Sequence, residues 1–141
     1  MRYAYPVTLT AEDGGYTVSF EDVPEALTWG ENHAAALVAA EDALATALAG
    51  YVHDRRALPV PGTPAKGRHM VALPAIVAAK LALYQAMQAQ GVTKVALAAR
   101  LGVTEGAVRK LVDPDHRSHI GQVDLALRTL GRTIIVTDEA A

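Results

Sequence analysis

Apolar and polar residues alternate through the first twenty positions of the chain, and a period of two predicts β-strands. Residues 2–11 and 16–21 both follow this pattern, and Asp13-Gly14-Gly15 between them is typical of a hairpin turn. Pro6 cannot donate to a neighbouring strand, so we expect the first strand to lie at an edge of the sheet or to bulge there. Two further short segments are candidate strands: Leu27–Trp29 and Arg68–Leu73.

Apolar residues recur at helical spacing after these strands. A helix is predicted from Asn32, which is suited to the N-cap, to about His53. A connection rich in proline then reaches Lys66. Further helices are predicted over Ala75–Gln90 and, with Ser118 as a candidate N-cap, over the segment that ends before residue 131.

The order of these elements predicts an α+β fold, in which a ββ(β)αβ part precedes an all-α part. The predicted boundary divides residues 1–73 from residues 74–141. Thr133–Thr137 at the end of the chain is a short β-prone run. It is a candidate strand that pairs across a two-fold axis or packs within its own subunit.

Lys94–Val112 has the features of a helix-turn-helix, in which two short helices meet at a tight turn. Gly102 follows the first helix, where a left-handed backbone is favoured. Val103 is expected to fill the turn, and Thr104 is placed to cap the second helix. The apolar positions expected to hold the two helices together are Leu97, Ala98, Leu101, Val108 and Leu111.

Candidate DNA contacts lie on and around the second of these helices. Thr104 and the backbone amides of the next two residues suit a phosphate, and Arg109 suits bidentate contact with guanine. The full set of candidates is Lys94, Thr104, Glu105, Gly106, Arg109, Lys110 and Arg117. A solvent-exposed face on an ordinary helical hairpin is the alternative. Because one such helix reads only a few base pairs, we expect a homodimer or higher oligomer on palindromic operator DNA, in the major groove.

Composition narrows the class of protein. The net charge of −2 is unevenly spread, with nine acids and five bases in residues 1–70 against six acids and eight bases in the rest. The chain has no cysteine, and no clear metal-ligand spacing, phosphate loop or nucleophile arrangement is present. We therefore predict no cofactor, metal site or catalytic residue. No apolar run reaches the length needed to span a membrane, and the N-terminus lacks the pattern of a signal peptide, which predicts a cytoplasmic protein without a membrane partner.

Four stretches of this sequence resemble the HicB family, the antitoxins of HicAB toxin–antitoxin modules. The stretches are Tyr5-Pro6, Asp13-Gly14-Gly15-Tyr16, Val23-Pro24 with Leu27–Gly30, and LAARLGVTEGAVRKLVDPDH followed by LALRTLG. The resemblance covers nearly the full length. Glu25-Ala26 departs from it, because the family usually has a glycine after the proline.

The resemblance implies that the first part is a partial ribonuclease H fold that has lost catalysis and binds a small basic HicA-like toxin. It also implies that the second part binds the operator and represses the module's own promoter. Candidate toxin contacts are Glu12, Asp13, Glu21, Asp22, Glu25 and Trp29, although a core position is the more common role for a tryptophan. A stand-alone transcriptional regulator is the alternative. An active nuclease is disfavoured because the first strand, RYAYPVTLT, carries no carboxylate.

Overall fold

The computed structural model describes residues 1–63 and 68–140. The chain divides into two compact units, Met1–Ala78 and Ala79–Ala141. The mixed α+β class is confirmed, because an antiparallel sheet is followed by helices. The end of the predicted connection, including Lys66, lies outside the described residues.

Within the described residues, the first unit contains a four-stranded antiparallel sheet with the order β3-β2-β1-β4. Both additional strands predicted from the sequence are present. Asp13 and Gly14 form the two-residue turn of the hairpin, and their φ angles of 49° and 76° fit the left-handed turns that such hairpins favour. The strand bounds are β1 Ala4–Glu12, β2 Gly15–Ser19, β3 Thr28–Gly30 and β4 His69–Ala72.

The first strand is not an edge strand, so the prediction drawn from Pro6 is wrong in that respect. β1 lies inside the sheet, but its two halves pair with different neighbours. Residues 4–7 pair with β4, and residues 8–12 pair with β2. Among the described residues, the half of β1 that contains Pro6 pairs with β4 and has no strand on its other side. A missing N–H is tolerated there, because no strand on that side needs it as a donor.

Helix α1, His33–His53, packs on one face of this sheet. Asn32 caps it as predicted, since its Oδ1 accepts a hydrogen bond from the Ala35 N–H at 2.8 Å. The α1 residues in the core are Ala36, Ala40, Leu44, Leu48, Ala49, Tyr51 and Val52. By length and composition alone α1 could cross a membrane, but its fully buried stripe is also what a core helix requires.

The remaining helices match the predicted segments. They are α2 Ala75–Gln90, α3 Lys94–Leu101, α4 Glu105–Val112 and α5 Ile120–Thr129. Within the second unit, the fully buried side chains include Leu97 from α3, Val108 from α4 and Val123 from α5. These side chains supply an apolar core in which α3 packs against both α4 and α5.

Two predictions near the end of the chain are wrong. Ser118 does not cap α5, because His119 occupies the N-cap position and makes no side-chain cap hydrogen bond. Thr133–Thr137 forms no strand within the described residues. Packing of this run within its own subunit is wrong, since Ile135 and Val136 are 85% and 82% exposed. Pairing of the run across a two-fold axis stays a prediction.

Candidate nucleic-acid and protein interfaces

The start of α4 is built by a left-handed residue and a threonine cap. Gly102 ends α3 with φ 68°, which reverses the chain, and Thr104 Oγ1 accepts a hydrogen bond from the Ala107 N–H at 3.1 Å. Thr104, Glu105 and Gly106 are all exposed at this end of the helix. The first turn of α4 thus presents backbone N–H groups and a positive dipole end to solvent, as an anion requires.

One face of α4 is buried and the other is cationic. Val108, Leu111 and Val112 are buried, whereas Arg109 and Lys110 are exposed. Arg109 Nη2 lies 2.8 Å from Glu105 Oε1, and the two residues form an ion pair between neighbouring turns of the helix. This pair holds the guanidinium along the exposed side of α4, and a base or phosphate would have to replace or share the carboxylate.

The two flanking candidates differ in position. Arg117 is exposed on the connection between α4 and α5, and within the described residues its side chain makes no hydrogen bond or ion pair. Lys94 is the half-buried first residue of α3. No hydrogen bond or ion pair between described residues joins Lys94 to α4.

The turn between α3 and α4 is not filled as predicted. Val103 is 45% exposed, so its side chain does not plug the turn. It lines a cavity of about 360 Å³ in the second unit, together with Leu125 of α5 and the cationic residues Lys110 and Arg117. An open apolar depression therefore lies beside the exposed cationic residues.

Three of the candidate toxin contacts bind groups that are distant in sequence within the first unit. Glu21 Oε2 lies 3.1 Å from Arg68 Nη1, and Asp22 Oδ2 accepts a hydrogen bond from the Gly62 N–H at 2.8 Å. Glu25 accepts the Tyr51 hydroxyl at 2.8 Å. These carboxylates fix the segment between β2 and β3, which gives them a structural role whether or not a partner also touches them.

The contact between Glu25 and Tyr51 changes the pKa of both side chains. The Tyr51 hydroxyl, with a smaller contribution from Arg56, lowers the pKa of the Glu25 carboxyl. Burial and the hydrogen bond to Glu25 raise the pKa of Tyr51. Arg56 also stacks over the Tyr51 ring, with its guanidinium carbon 4.0 Å from the ring centroid.

The other three candidates lie together at the hairpin end of the sheet. Trp29 pairs with Thr17 across β2 and β3, and the Thr17 hydroxyl donates to Glu12 Oε2 at 2.8 Å. Asp13 is next in the turn. We call Glu12, Asp13, Thr17 and Trp29 the hairpin-end surface.

Trp29 is 47% exposed, so the core position that is commoner for a tryptophan is wrong here. Its indole lies over Gly15, where a Cβ would overlap the ring. The next residue, Gly30, faces α1, and Trp29 therefore points to the opposite face of the sheet. The hairpin-end surface combines one large apolar ring with two carboxylates.

Sequence reasoning missed two residues that matter for these surfaces. Thr93 caps α3, with its Oγ1 accepting from the Ala96 N–H at 3.1 Å, and a threonine three residues before an apolar helix position could have indicated this. Lys80 is buried in α2 and contacts the end of α4. Nothing in the local pattern indicates that contact, because its acceptors lie 30 or more positions away.

Comparisons with known proteins agree on one family. The family profile described as a HicB-like antitoxin of bacterial toxin–antitoxin systems matches residues 3–82. Antitoxin HicB of Escherichia coli is 41% identical over 131 residues, which cover 92% of this chain and 95% of that protein. Antitoxin HicB of Pseudomonas fluorescens is 39% identical over 142 residues, which cover 100% of this chain and 97% of that protein.

Proposed function

The chain belongs to the HicB-like antitoxin family of bacterial toxin–antitoxin systems, and we propose that it neutralises a HicA-type mRNA-cleaving toxin and represses its own operon by binding operator DNA. The observation that carries this proposal is the exposed cationic face of α4, held by a buried apolar face and a threonine cap. The likeness to antitoxins extends through the residues that form this helix.

For the DNA-binding role, we propose that α3 and α4 act as a helix-turn-helix with α4 in the major groove. The capped N-terminus of α4 suits a phosphate, while Arg109 and Lys110 suit base edges or phosphates. Arg117 is proposed as a backbone contact beyond the end of α4. Lys94 has weaker support, since it is half-buried at the start of α3.

For the toxin-binding role, we propose the hairpin-end surface as the docking site. A half-exposed tryptophan flanked by carboxylates suits a basic partner, since a ring in a desolvated contact supplies affinity and the acids supply complementary charge. Glu21, Asp22 and Glu25 are poorer candidates, because each binds a group distant in sequence and so fixes the segment between β2 and β3. Glu12 instead accepts the hydroxyl of Thr17, which belongs to the hairpin-end surface itself.

The same proposal covers architecture and assembly. Residues 1–73 are assigned to a toxin-binding domain with a partial ribonuclease H fold, and residues 74–141 to DNA binding and dimerisation. The β1 strand carries a carboxylate at its last position alone, which supports a binding protein rather than a two-metal nuclease. The exposed Leu125 and Ile120 of α5 support pairing through this helix on a palindromic operator. Operator DNA and messenger RNA both place the proposed activity in the cytoplasm.

The toxin half is tested by titrating the purified chain against a small basic ribonuclease of the HicA type. Asp13→Lys and Trp29→Ala are expected to weaken binding and to restore RNA cleavage by the toxin. Glu41→Lys, on an exposed position of α1, is the charge-matched control and is expected to leave inhibition intact. Inhibition that survives both hairpin-end changes would contradict the assignment of this surface.

The DNA half is tested by gel-shift or anisotropy titration with the duplex upstream of the chain's own gene. Binding is expected to weaken steeply with salt, since neutralised phosphates release counterions. Binding that ignores both salt and sequence, or no binding at all, would contradict the proposed repression.

A further inference from the structure

Lys80 lies near the middle of α2 and is 1% exposed, the single buried charged residue among those the structure describes. Burying an ammonium group is costly unless hydrogen bonds replace its hydration. Burial accordingly lowers the pKa of Lys80, while the nearby Asp113 carboxylate raises it. A buried ammonium is therefore stable only where several hydrogen-bond acceptors surround it.

Four oxygen atoms surround the Lys80 ammonium, and all belong to the second unit. Nζ donates to the carbonyl oxygens of Lys110 and Asp113 at 2.9 Å each, and to the carbonyl oxygen of His116 at 2.6 Å. The fourth oxygen is Ser118 Oγ at 2.9 Å, and because an ammonium has three N–H groups, two of the four oxygens share one donor. One cation thus links the last turn of α4 to the connection that leads to α5.

The first of these acceptors belongs to a helix end. The last carbonyl groups of any helix lack partners within the helix, and a cation is favourable at that end of the helix dipole. In α4 the Asp113 N–H satisfies the Arg109 carbonyl, and Lys80 satisfies the next carbonyl, that of Lys110. The ammonium therefore fixes the peptide group of a residue whose own side chain is exposed on the cationic face.

The other acceptors belong to the connection between α4 and α5. Two local hydrogen bonds shape its first part, from the His116 N–H to the Asp113 carbonyl and from the Asp115 N–H to Asp113 Oδ1. Lys80 then binds the residues on both sides of Arg117. One buried group thus binds the backbone carbonyl before Arg117 and the side-chain hydroxyl after it, which restricts the backbone that carries the Arg117 guanidinium.

We propose that Lys80 is a positioning residue for DNA binding: its buried ammonium fixes the backbone at Lys110 and Arg117, so that both cations face the same duplex. This inference rests on the proposed DNA-binding function. Lys80 itself touches no DNA, because it is enclosed. Its effect on affinity is transmitted through Arg117 and Lys110.

A double-mutant cycle tests this transmission. Lys80→Met removes the donors and keeps a similar volume, and Arg117→Ala removes the proposed contact. With the duplex upstream of the chain's own gene as the probe, each single change is expected to lower affinity about tenfold and to reduce the salt slope by roughly one phosphate contact. The double variant is expected to lose less affinity than the product of the two single losses, because the part of the Lys80 effect that acts through Arg117 is already gone and only the part that acts through Lys110 remains. Full multiplication of the two losses would overturn the proposal.

A destabilised control separates positioning from loss of packing. Leu83→Val, at a fully buried position of the same helix, removes apolar contact without touching the four acceptors. Its thermal stability is expected to fall while its affinity for the duplex remains within about twofold of the unmodified chain, since the cationic backbone is unchanged. An equal loss of DNA affinity in this control would overturn the positioning role.

Chemical rescue guards against a variant that merely misfolds. Because the chain has no cysteine, Lys80→Cys can be alkylated uniquely in denaturant and then refolded. An aminoethyl adduct restores the ammonium at lysine length, and a propyl adduct has the same shape without charge. The aminoethyl protein is expected to recover DNA affinity and slow hydrogen exchange at residues 116–118, whereas the propyl protein recovers neither.

Two outcomes separate a failure of the positioning role from a failure of the proposed DNA-binding function. If the unmodified chain fails to bind the duplex, the proposed DNA binding is wrong, and the exchange rates still report whether Lys80 holds the connection. If the unmodified chain binds and the folded propyl protein binds equally tightly, the positioning role is wrong and the proposed function stands.

Discussion

Gly15 is the residue on which the position of Trp29 depends. The indole occupies the space where any other residue would place its Cβ, so the ring can lie flat over β2. Because the ring and the two neighbouring acids form the hairpin-end surface, a single absent methyl group shapes the proposed toxin site. The missing Cβ of Gly15 therefore matters to the proposed site as much as the side chains that form it.

Gly15→Ala is therefore expected to displace the Trp29 ring and weaken toxin binding without any change of charge. Gly14→Ala in the turn is a useful comparison, because it also strains the hairpin through its positive φ but lies clear of the ring. Calorimetric titration of both variants against the toxin separates the two effects. Equal losses in the two variants would argue against a specific role for the ring.

Gly106 predicts opposite effects on stability and on DNA binding. A Cβ there would meet nothing closer than Thr104 Oγ1 at 3.9 Å, so Gly106→Ala fits and is expected to stabilise α4 by about 0.5 kcal/mol. The same methyl group would obstruct a phosphate at the helix N-terminus and lower affinity. Gly121→Ala, at the same position of α5 and also unobstructed, should stabilise equally and leave DNA binding unchanged.

Arg109 is expected to contribute to base recognition. Arg109→Ala should weaken operator binding by roughly 1–3 kcal/mol, and most at one base-pair position. Arg128→Ala removes a comparable exposed ion pair, with Asp124 in α5, and serves as the control. Operator affinity that is unchanged in Arg109→Ala would remove this residue from the interface.

Elements whose signals are local were predicted correctly. Helix α1 begins after Asn32, and Gly102 and Thr104 set the limits of α3 and α4, because caps and left-handed turns act within four residues. Errors arose where the outcome depends on distant partners. Pro6 is tolerated because β1 changes partner along its length, and Ser118 serves as an acceptor for Lys80 instead of a cap.

The surfaces were predicted less completely than the elements, for the same reason. The exposure of Arg109 and Lys110 follows from the helical period around Val108. The half-exposed state of Trp29 depends on which sheet face α1 covers, and no local pattern determines that face. The candidate acids could be chosen by charge, but which of them fix distant parts of the unit depends on contacts over 26 to 47 positions.

The link between α1 and the segment before β3 predicts a pH dependence. The pKa of Glu25 is lowered from 4.5 by the Tyr51 hydroxyl, so this contact stabilises the fold fully above pH 4.5 and is lost as the pH falls through the lowered value. Tyr51→Phe is expected to lower the free energy of unfolding by about 1 kcal/mol near neutral pH, and this difference should become smaller in acid.

Chemical denaturation of both proteins from neutral pH to pH 3 checks this dependence. Tyr5→Phe is the control, because the Tyr5 hydroxyl donates to the Pro59 carbonyl at 2.6 Å, an acceptor that does not titrate. A cost of Tyr51→Phe that stays constant into acid would contradict the role of Glu25.

The molecule as a whole separates two kinds of charge along its sequence. Residues 1–70 have an excess of acids, and the remainder has an excess of bases. This division matches the proposal that the first part receives a basic toxin and the second a polyanion. Neither excess is large, so recognition must depend on the local surfaces described above.

Pairing through α5 is testable at the scale of the assembly. Sedimentation at micromolar concentration is expected to give a dimer or a higher oligomer for the unmodified chain and smaller species for Leu125→Asp, whose position is 59% exposed. Leu27→Asp, at a comparably exposed apolar position in the first unit, should leave the mass unchanged. A monomeric mass at every concentration would contradict the palindromic operator.

The indole above Gly15 is the sole tryptophan of the chain, and about half of its surface meets water. When the indole is excited selectively over the tyrosines, the emission of the free protein therefore originates at one position on β3 and is sensitive to the polarity there. A tryptophan-free toxin that covers this ring would shift the emission to shorter wavelengths, whereas a ligand that binds elsewhere would leave the ring wet. The emission of Trp29 is thus an intrinsic optical reporter at the proposed toxin site, with no dye attached.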